Sequence, residues 1–229
     1  MVMQKVMFAF VMVVFNLVFM SNVLAKTPSG DFSYCADPKL QKARSDELQR
    51  LLAADQSCRE DMSKWSKKNF KEMIKRDMVR RKRVGEIFAE GCLRTPQDYL
   101  AAALIYQHGD VPDHYYQAYI WAARAIELGG KNAKSMVAVA IDRYLVSLGK
   151  KQLFGSQFYS DDTQPNHCFC MRKVELSFPD SLRQEYLGKA LQESSYEKFA
   201  MFNQGKQCPN VECSEDLKPT PKGTVPGLW

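Results

Sequence analysis

Apolar residues recur at helical spacing along most of the chain, and the recurrences end at glycine, proline or capping residues. Asp37-Pro38 offers a capping carboxylate and a proline suited to the first helical position. Leu40, Ala43, Leu48, Leu51 and Leu52 follow it, up to Asp55-Gln56. A second helix is predicted over Met62 to Glu90, with Phe70, Met73, Ile74, Met78, Val84, Ile87 and Phe88 on or near one face and Gly91 as its stop. Thr95-Pro96 starts a third, whose stripe is Tyr99, Ala102, Ala103 and Tyr106 and which ends at Gly109. Asp110 to Pro112 opens a fourth, running through Tyr116, Ile120, Ala123 and Leu128 to Gly129-Gly130. Asn132 caps a fifth, with Ala133, Val137, Ala140, Ile141, Tyr144 and Leu148 inward and Gly149 at its end. After a polar and aromatic loop, Pro179 to Phe202 reads as one more helix.

No run alternates with period two, so the predicted fold is all-α, a small helical bundle. Lys218 to Trp229 holds three prolines and two glycines and is expected to be irregular. The expected organisation is a leader over residues 1–25, an irregular segment over 26–36, a helical domain over 37–205 and an irregular tail with Cys and Pro over 206–229.

The leader is inferred from Lys5, the apolar stretch Val6 to Met20 broken by Asn16, and the small-residue exit Val23-Leu24-Ala25. That is the layout of a secretory signal peptide. The stretch is short of the about 20 residues of a spanning helix, although an uncleaved N-terminal anchor is the rival. No cysteine stands at the cleavage point, which disfavours a lipoprotein. The expected location is therefore exported, periplasmic or secreted, with no transmembrane segment once the leader is gone. All seven cysteines lie beyond it.

Charge adds a second local feature. The chain carries 32 Lys and Arg against 26 Asp and Glu. Lys64, Lys67, Lys68, Lys71, Lys75, Arg76, Arg80, Arg81, Lys82 and Arg83 face only Glu72 and Asp77 within that stretch, so its excess exceeds that of the whole protein. The rest of the chain is slightly acidic. Lys64, Lys68, Lys71, Lys75, Arg80, Arg81 and Arg83 are taken as a basic patch, either a solvated face or a docking surface for an anionic partner. Nucleic acid is not expected as that partner, because the leader points to export and aromatics for base stacking are sparse there.

Export makes disulfides the expected state of Cys35, Cys58, Cys92, Cys168, Cys170, Cys208 and Cys213, and the odd number leaves one over. Cys208 and Cys213 can close a small loop. Cys168 and Cys170 can each bridge to that C-terminal pair or to Cys35, and Cys58 can pair with Cys92. The alternatives are mostly free thiols, or zinc on His167, Cys168, Cys170, Cys208 and Cys213, whose spacing is unlike the usual ligand pattern. No metal and no cofactor is expected.

Ala118, Trp121, Ala122, Ala125, Gly129, Ala133 and Ala140 resemble the small-residue pattern of one tetratricopeptide-like helical hairpin, in which small side chains let antiparallel helices approach closely. A more specific pattern is Asp55-Gln56 with Arg59, then Gln107-His108-Gly109, then Asp142-Arg143, then Gln152 to Gln157 with Gly155. This resembles a bacterial family classed as a domain of unknown function, across roughly residues 45 to 200. Phe154 and Ser156 stand where that family has Tyr and Thr. The resemblance implies a single, mainly helical domain and implies no activity.

The polar residues in these motifs define the candidate site. His108, at a helix C-terminus, is expected to be drawn toward its charged form by the helix dipole. Adjacent positions on a helix point about 100° apart, so only one of Asp142 and Arg143 can turn fully inward. A buried charge needs a partner, and Asp55, Arg59 and His108 are available. His108, Asp142, Arg143 and Gln157 are the catalytic candidates; Asp55, Arg59, Gln107 and Gln152 are the ligand-binding ones. The leading expectation is an exported domain that binds a protein or an anionic envelope component. The alternative is a small envelope hydrolase or ligand-binding enzyme, in which His108, Asp142 and Gln157 converge on an open cleft.

Overall fold

Local capping chemistry sets the frame of the computed structural model, which describes residues 34–59, 67–160, 167–209 and 211–229, all within one unit. The expected leader and Lys64 lie outside the described residues, as does the start expected for the second helix. Helix α1 spans Pro38–Ser57, and the Asp37 carboxylate accepts from the Lys39 amide at 2.9 Å. α2 spans Lys67–Ala89. α3, Pro96–Tyr106, begins in a reciprocal capping box: Thr95 Oγ1 accepts from the Asp98 amide at 3.1 Å and Asp98 Oδ2 from the Thr95 amide at 2.9 Å. α4 is Pro112–Glu127 and α5 is Lys134–Ser147. α5 is not capped by Asn132, which instead sits inside a single 3-10 turn, Lys131–Ala133.

Alanines explain how these helices meet. Ala101, Ala102 and Ala103 of α3, Ala118, Ala122 and Ala125 of α4, and Ala138 and Ala140 of α5 are all buried. Without longer side chains in the seams, α4 lies close against both α3 and α5. Trp121 fills the remaining space against Phe88 and Tyr106, with ring centroids 5.4 and 4.6 Å away. The fold is all-α in class, with this small-residue hairpin packing at its centre.

The stretch expected as one helix over 179–202 is two. Gly188, at φ 76°, closes α6 (Asp180–Leu187), and extended backbone at Ala190 precedes α7 (Leu191–Phe202). The sequence also hid a two-stranded antiparallel ribbon, β1 (Phe158–Ser160) with β2 (Phe169–Met171). Strands of three residues are too short to display alternation, and disulfides tether this one.

Cys168 bonds to Cys208 and Cys170 to Cys213, so Cys208 and Cys213 do not close a loop on each other. Cys92 pairs with Cys35 rather than Cys58, tying the entry of α1 to the turn after α2; Cys58 is the free thiol. The four cysteines a zinc site would need are consumed by these bonds. Among the described residues no helix is long and apolar enough to cross a membrane.

The tail is irregular yet firmly seated. Thr220 Oγ1 donates to the Lys151 carbonyl at 2.6 Å, and Trp229 Nε1 to the Thr220 carbonyl at 2.9 Å. Val225 and Trp229 join Ile141, Leu145, Phe154 and Phe178 in a second apolar cluster beside the α1–α5 core.

Candidate functional site

Polar residues at core positions of α2 build one wall of a cleft. Its stripe reads Met73, Asp77, Arg80, Arg81, Val84, Ile87, and every member is buried. Asp77 Oδ1 accepts from Arg80 Nη2 at 2.5 Å and its Oδ2 from Arg59 Nη2 at 2.6 Å. Arg59 also reaches back to Asp55, donating from Nη1 to the carbonyl at 2.7 Å and to Oδ1 at 3.1 Å. Arg80 stands 3.6 Å from the same carboxylate. Arg81 donates to the His108 carbonyl at 2.9 Å and to Asp110 at 3.0 Å.

The basic patch is therefore smaller than expected. Arg80 and Arg81 are interior groups, and Arg83 is held by Glu47 at 2.6 and 3.0 Å and by Glu86 at 2.9 Å. Lys71 and Lys75 remain exposed.

Asp55 is fully buried, and its Oδ2 lies 2.8 Å from His108 Nδ1. Burial alone would lift its carboxyl, but the His108 hydrogen bond and the Arg59 and Arg80 charges hold it below the ordinary carboxylate range. Burial also acts on His108 and outweighs the pull of Asp55, so the imidazole titrates below its usual range. The dipole expectation is thus reversed: desolvation wins, and His108 is neutral near pH 7. Neutral His108 then donates from Nδ1 to the carboxylate, and Nε2 accepts from the Gln107 amide at 3.2 Å.

Asp142 does turn inward, but it leaves the cleft and meets none of the expected charged partners. It is fully buried; Oδ1 accepts from the Leu153 and Phe154 amides at 2.7 and 2.9 Å, and Oδ2 from the Ser156 amide at 2.9 Å. Burial pushes its carboxyl up, and the three amides oppose that push. Gln152, also fully buried, accepts from the Gln157 amide at 2.8 Å and donates to the Gln157 and Arg172 carbonyls at 3.1 and 2.7 Å. Gly155 closes the loop at φ 72°, where a Cβ would stand 2.6 Å from Leu191 Cδ1.

The loop so built presents Gln157, whose Oε1 accepts from Arg143 Nε at 3.1 Å. Arg143 Nη1 donates to the Gln107 carbonyl at 2.5 Å. Its guanidinium also lies 5.9 Å from the Tyr115 ring centroid. Among the described residues no carboxylate pairs with it. Burial and the nearby Arg59 charge lower its pKa, the Tyr115 hydroxyl opposing them.

Arg59, Met73, Asp77, Arg81, His108 and Arg143 surround a cleft of about 360 Å3, lipped by Phe70 and Ile74. The structure brings Asp55, Arg59, Gln107, His108, Arg143 and Gln157 into one connected network and gives Asp142 and Gln152 to the loop beneath it. Asp77 and Arg81, both at the cleft, were not predicted as its residues. Their signal in the sequence is that charged side chains occupy the core positions between Met73 and Val84. Comparison of the chain with protein-family models, curated proteins and solved structures gave no match.

Proposed function

We propose that this is an exported helical binding domain, periplasmic or secreted, of the bacterial family it resembles, and that its cleft receives an anionic group of a protein or envelope component. Arg143 carries the reading. It is a guanidinium held by neutral acceptors, with no carboxylate partner among the described residues, and it lines a cleft. A cation that burial disfavours gains most from a ligand that brings the missing charge. Arg59 and Arg81 add positive charge to the lining, against Asp77 and Asp110. The volume, at the small end for ligand sites, suits one projecting group with a short apolar neighbour against Met73 and Ile74. Three disulfides fit an oxidising compartment.

The Asp55–His108 pair favours a second reading, a small hydrolase using a His/Asp/Arg/Gln cleft. The described lining holds no serine, threonine or cysteine, so water would be the nucleophile. Affinity capture from an envelope extract, with wild type and Arg143→Met side by side, tests the binding proposal. A component retained intact by wild type and lost by the variant at unchanged melting temperature supports it. Equal retention by both contradicts it, and a retained component that wild type cleaves but His108→Gln does not would favour the hydrolase.

A further inference from the structure

From the edge of its buried stripe round to its far side, α2 carries two adjacent rows. Phe70, Ile74 and Met78, at successive i+4 positions, are 47, 40 and 58% exposed. Successive members of such a row drift by about 40° around the helix, and Lys71, Lys82 and Lys75 fall on the next strip at about 100–140° from Phe70. All three lysines are exposed, as is Arg76 farther round. The acids bordering this surface are Glu72, 3.0 Å from Lys75 in an exposed pair that contributes little, and Glu86, one turn beyond Lys82 and 2.9 Å from Arg83. α4 also exposes two apolar residues one turn apart, Tyr116 and Ile120, but its cation Arg124 is tied to Glu127 at 2.8 Å. An apolar row with a row of exposed lysines beside it distinguishes α2.

We propose that α2 docks the protein onto the surface of an anionic phospholipid bilayer. Ile74 and Met78, with Phe70, enter the boundary between headgroups and acyl chains. Lys71, Lys75 and Lys82 lie level with the phosphates, their aliphatic stems continuing the apolar surface. Charge complementarity selects the anionic lipid, because the apolar row alone would not discriminate among headgroups. Phe70 and Ile74 also lip the cleft that Arg143 lines, whereas Lys71, Lys75 and Lys82 do not line it, so the lysine set and Arg143→Met separate the two proposals.

Co-sedimentation of the full, oxidised protein with vesicles tests the docking. Vesicles of phosphatidylglycerol mixed with phosphatidylcholine bind the protein at low salt, pure phosphatidylcholine vesicles bind it far more weakly, and salt at about 0.5 M releases it. Lys71→Glu, Lys75→Glu and Lys82→Glu together weaken binding by about a hundredfold or more. Ile74→Asp with Met78→Asp abolishes it, while Tyr196→Asp on α7 and Arg143→Met leave it unchanged. Melting temperatures confirm that each variant folds, and the lysine set provides the test should the apolar pair fail to fold. Equal affinity for both vesicle types, no affinity for either, or undiminished binding by the lysine variant overturns the proposal.

Discussion

Asp142 and Arg143 are neighbours in sequence with opposite tasks. Asp142 accepts three backbone amides and fixes the 152–157 loop, whereas Arg143 is held at the cleft by the Gln157 side chain of that loop and by the Gln107 carbonyl. Replacing Asp142 with Asn removes the charge and presents an NH2 group to an amide donor. The expected loss is about 1.5–3 kcal/mol of stability, read by denaturant unfolding; an unchanged midpoint would contradict the assigned role. His108 gives a pH signature. Its folded pKa lies below the unfolded value, so its contribution is complete above about pH 6.5 and is lost as pH falls through the folded pKa. Thermal melts should therefore show stability falling below about pH 6.5 with a smaller slope in His108→Gln, and equal slopes would remove His108 as the source. The pairing of polar motifs was legible at this scale, but the direction of each side chain was not. Asp142 found main-chain donors from a loop whose shape no residue spacing announces.

Helix boundaries were legible where one residue carries the signal. Asp37-Pro38 and Thr95-Pro96 start helices because their side chains supply the acceptors that the first amides lack. Asn132 looked equivalent and is not, since the chain takes a 3-10 turn there before α5. Gly188 breaks a stretch whose apolar spacing runs on as though continuous, and the ribbon is too short to alternate. Its order rests on covalent links that the sequence allowed in several pairings. Replacing Cys170 and Cys213 by Ser should cost about 2–4 kcal/mol, measured on the otherwise oxidised protein. Alkylation of the native, unreduced protein should label Cys58 alone, and reduction should release the other six. Labelling at Cys92 with Cys58 protected would refute the observed pairing.

At the scale of the molecule, two apolar clusters share α5, and the irregular tail belongs to the second. Trp229 packs edge-on against Phe178 at 5.2 Å and Val225 is buried beside it. Removing residues 225–229 should cost about 3–5 kcal/mol, the range for losing a large buried side chain. The net charge was a poor guide to this architecture: three of the arginines in the basic stretch tie α2 to its neighbours, and its exposed lysines lie on another face. Between these parts sits the cleft, whose polar network joins α1, α2, α3 and α5. We propose that Arg143 in this cleft awaits an anion. The most direct test is an NMR titration with inorganic phosphate as probe, following the Arg143 side-chain Nε–H and the His108 ring. Saturable shifts at both groups, with a Kd on the order of millimolar and absent in Arg143→Met, are predicted. Shifts that grow linearly without saturation, or that persist unchanged in Arg143→Met, would contradict it.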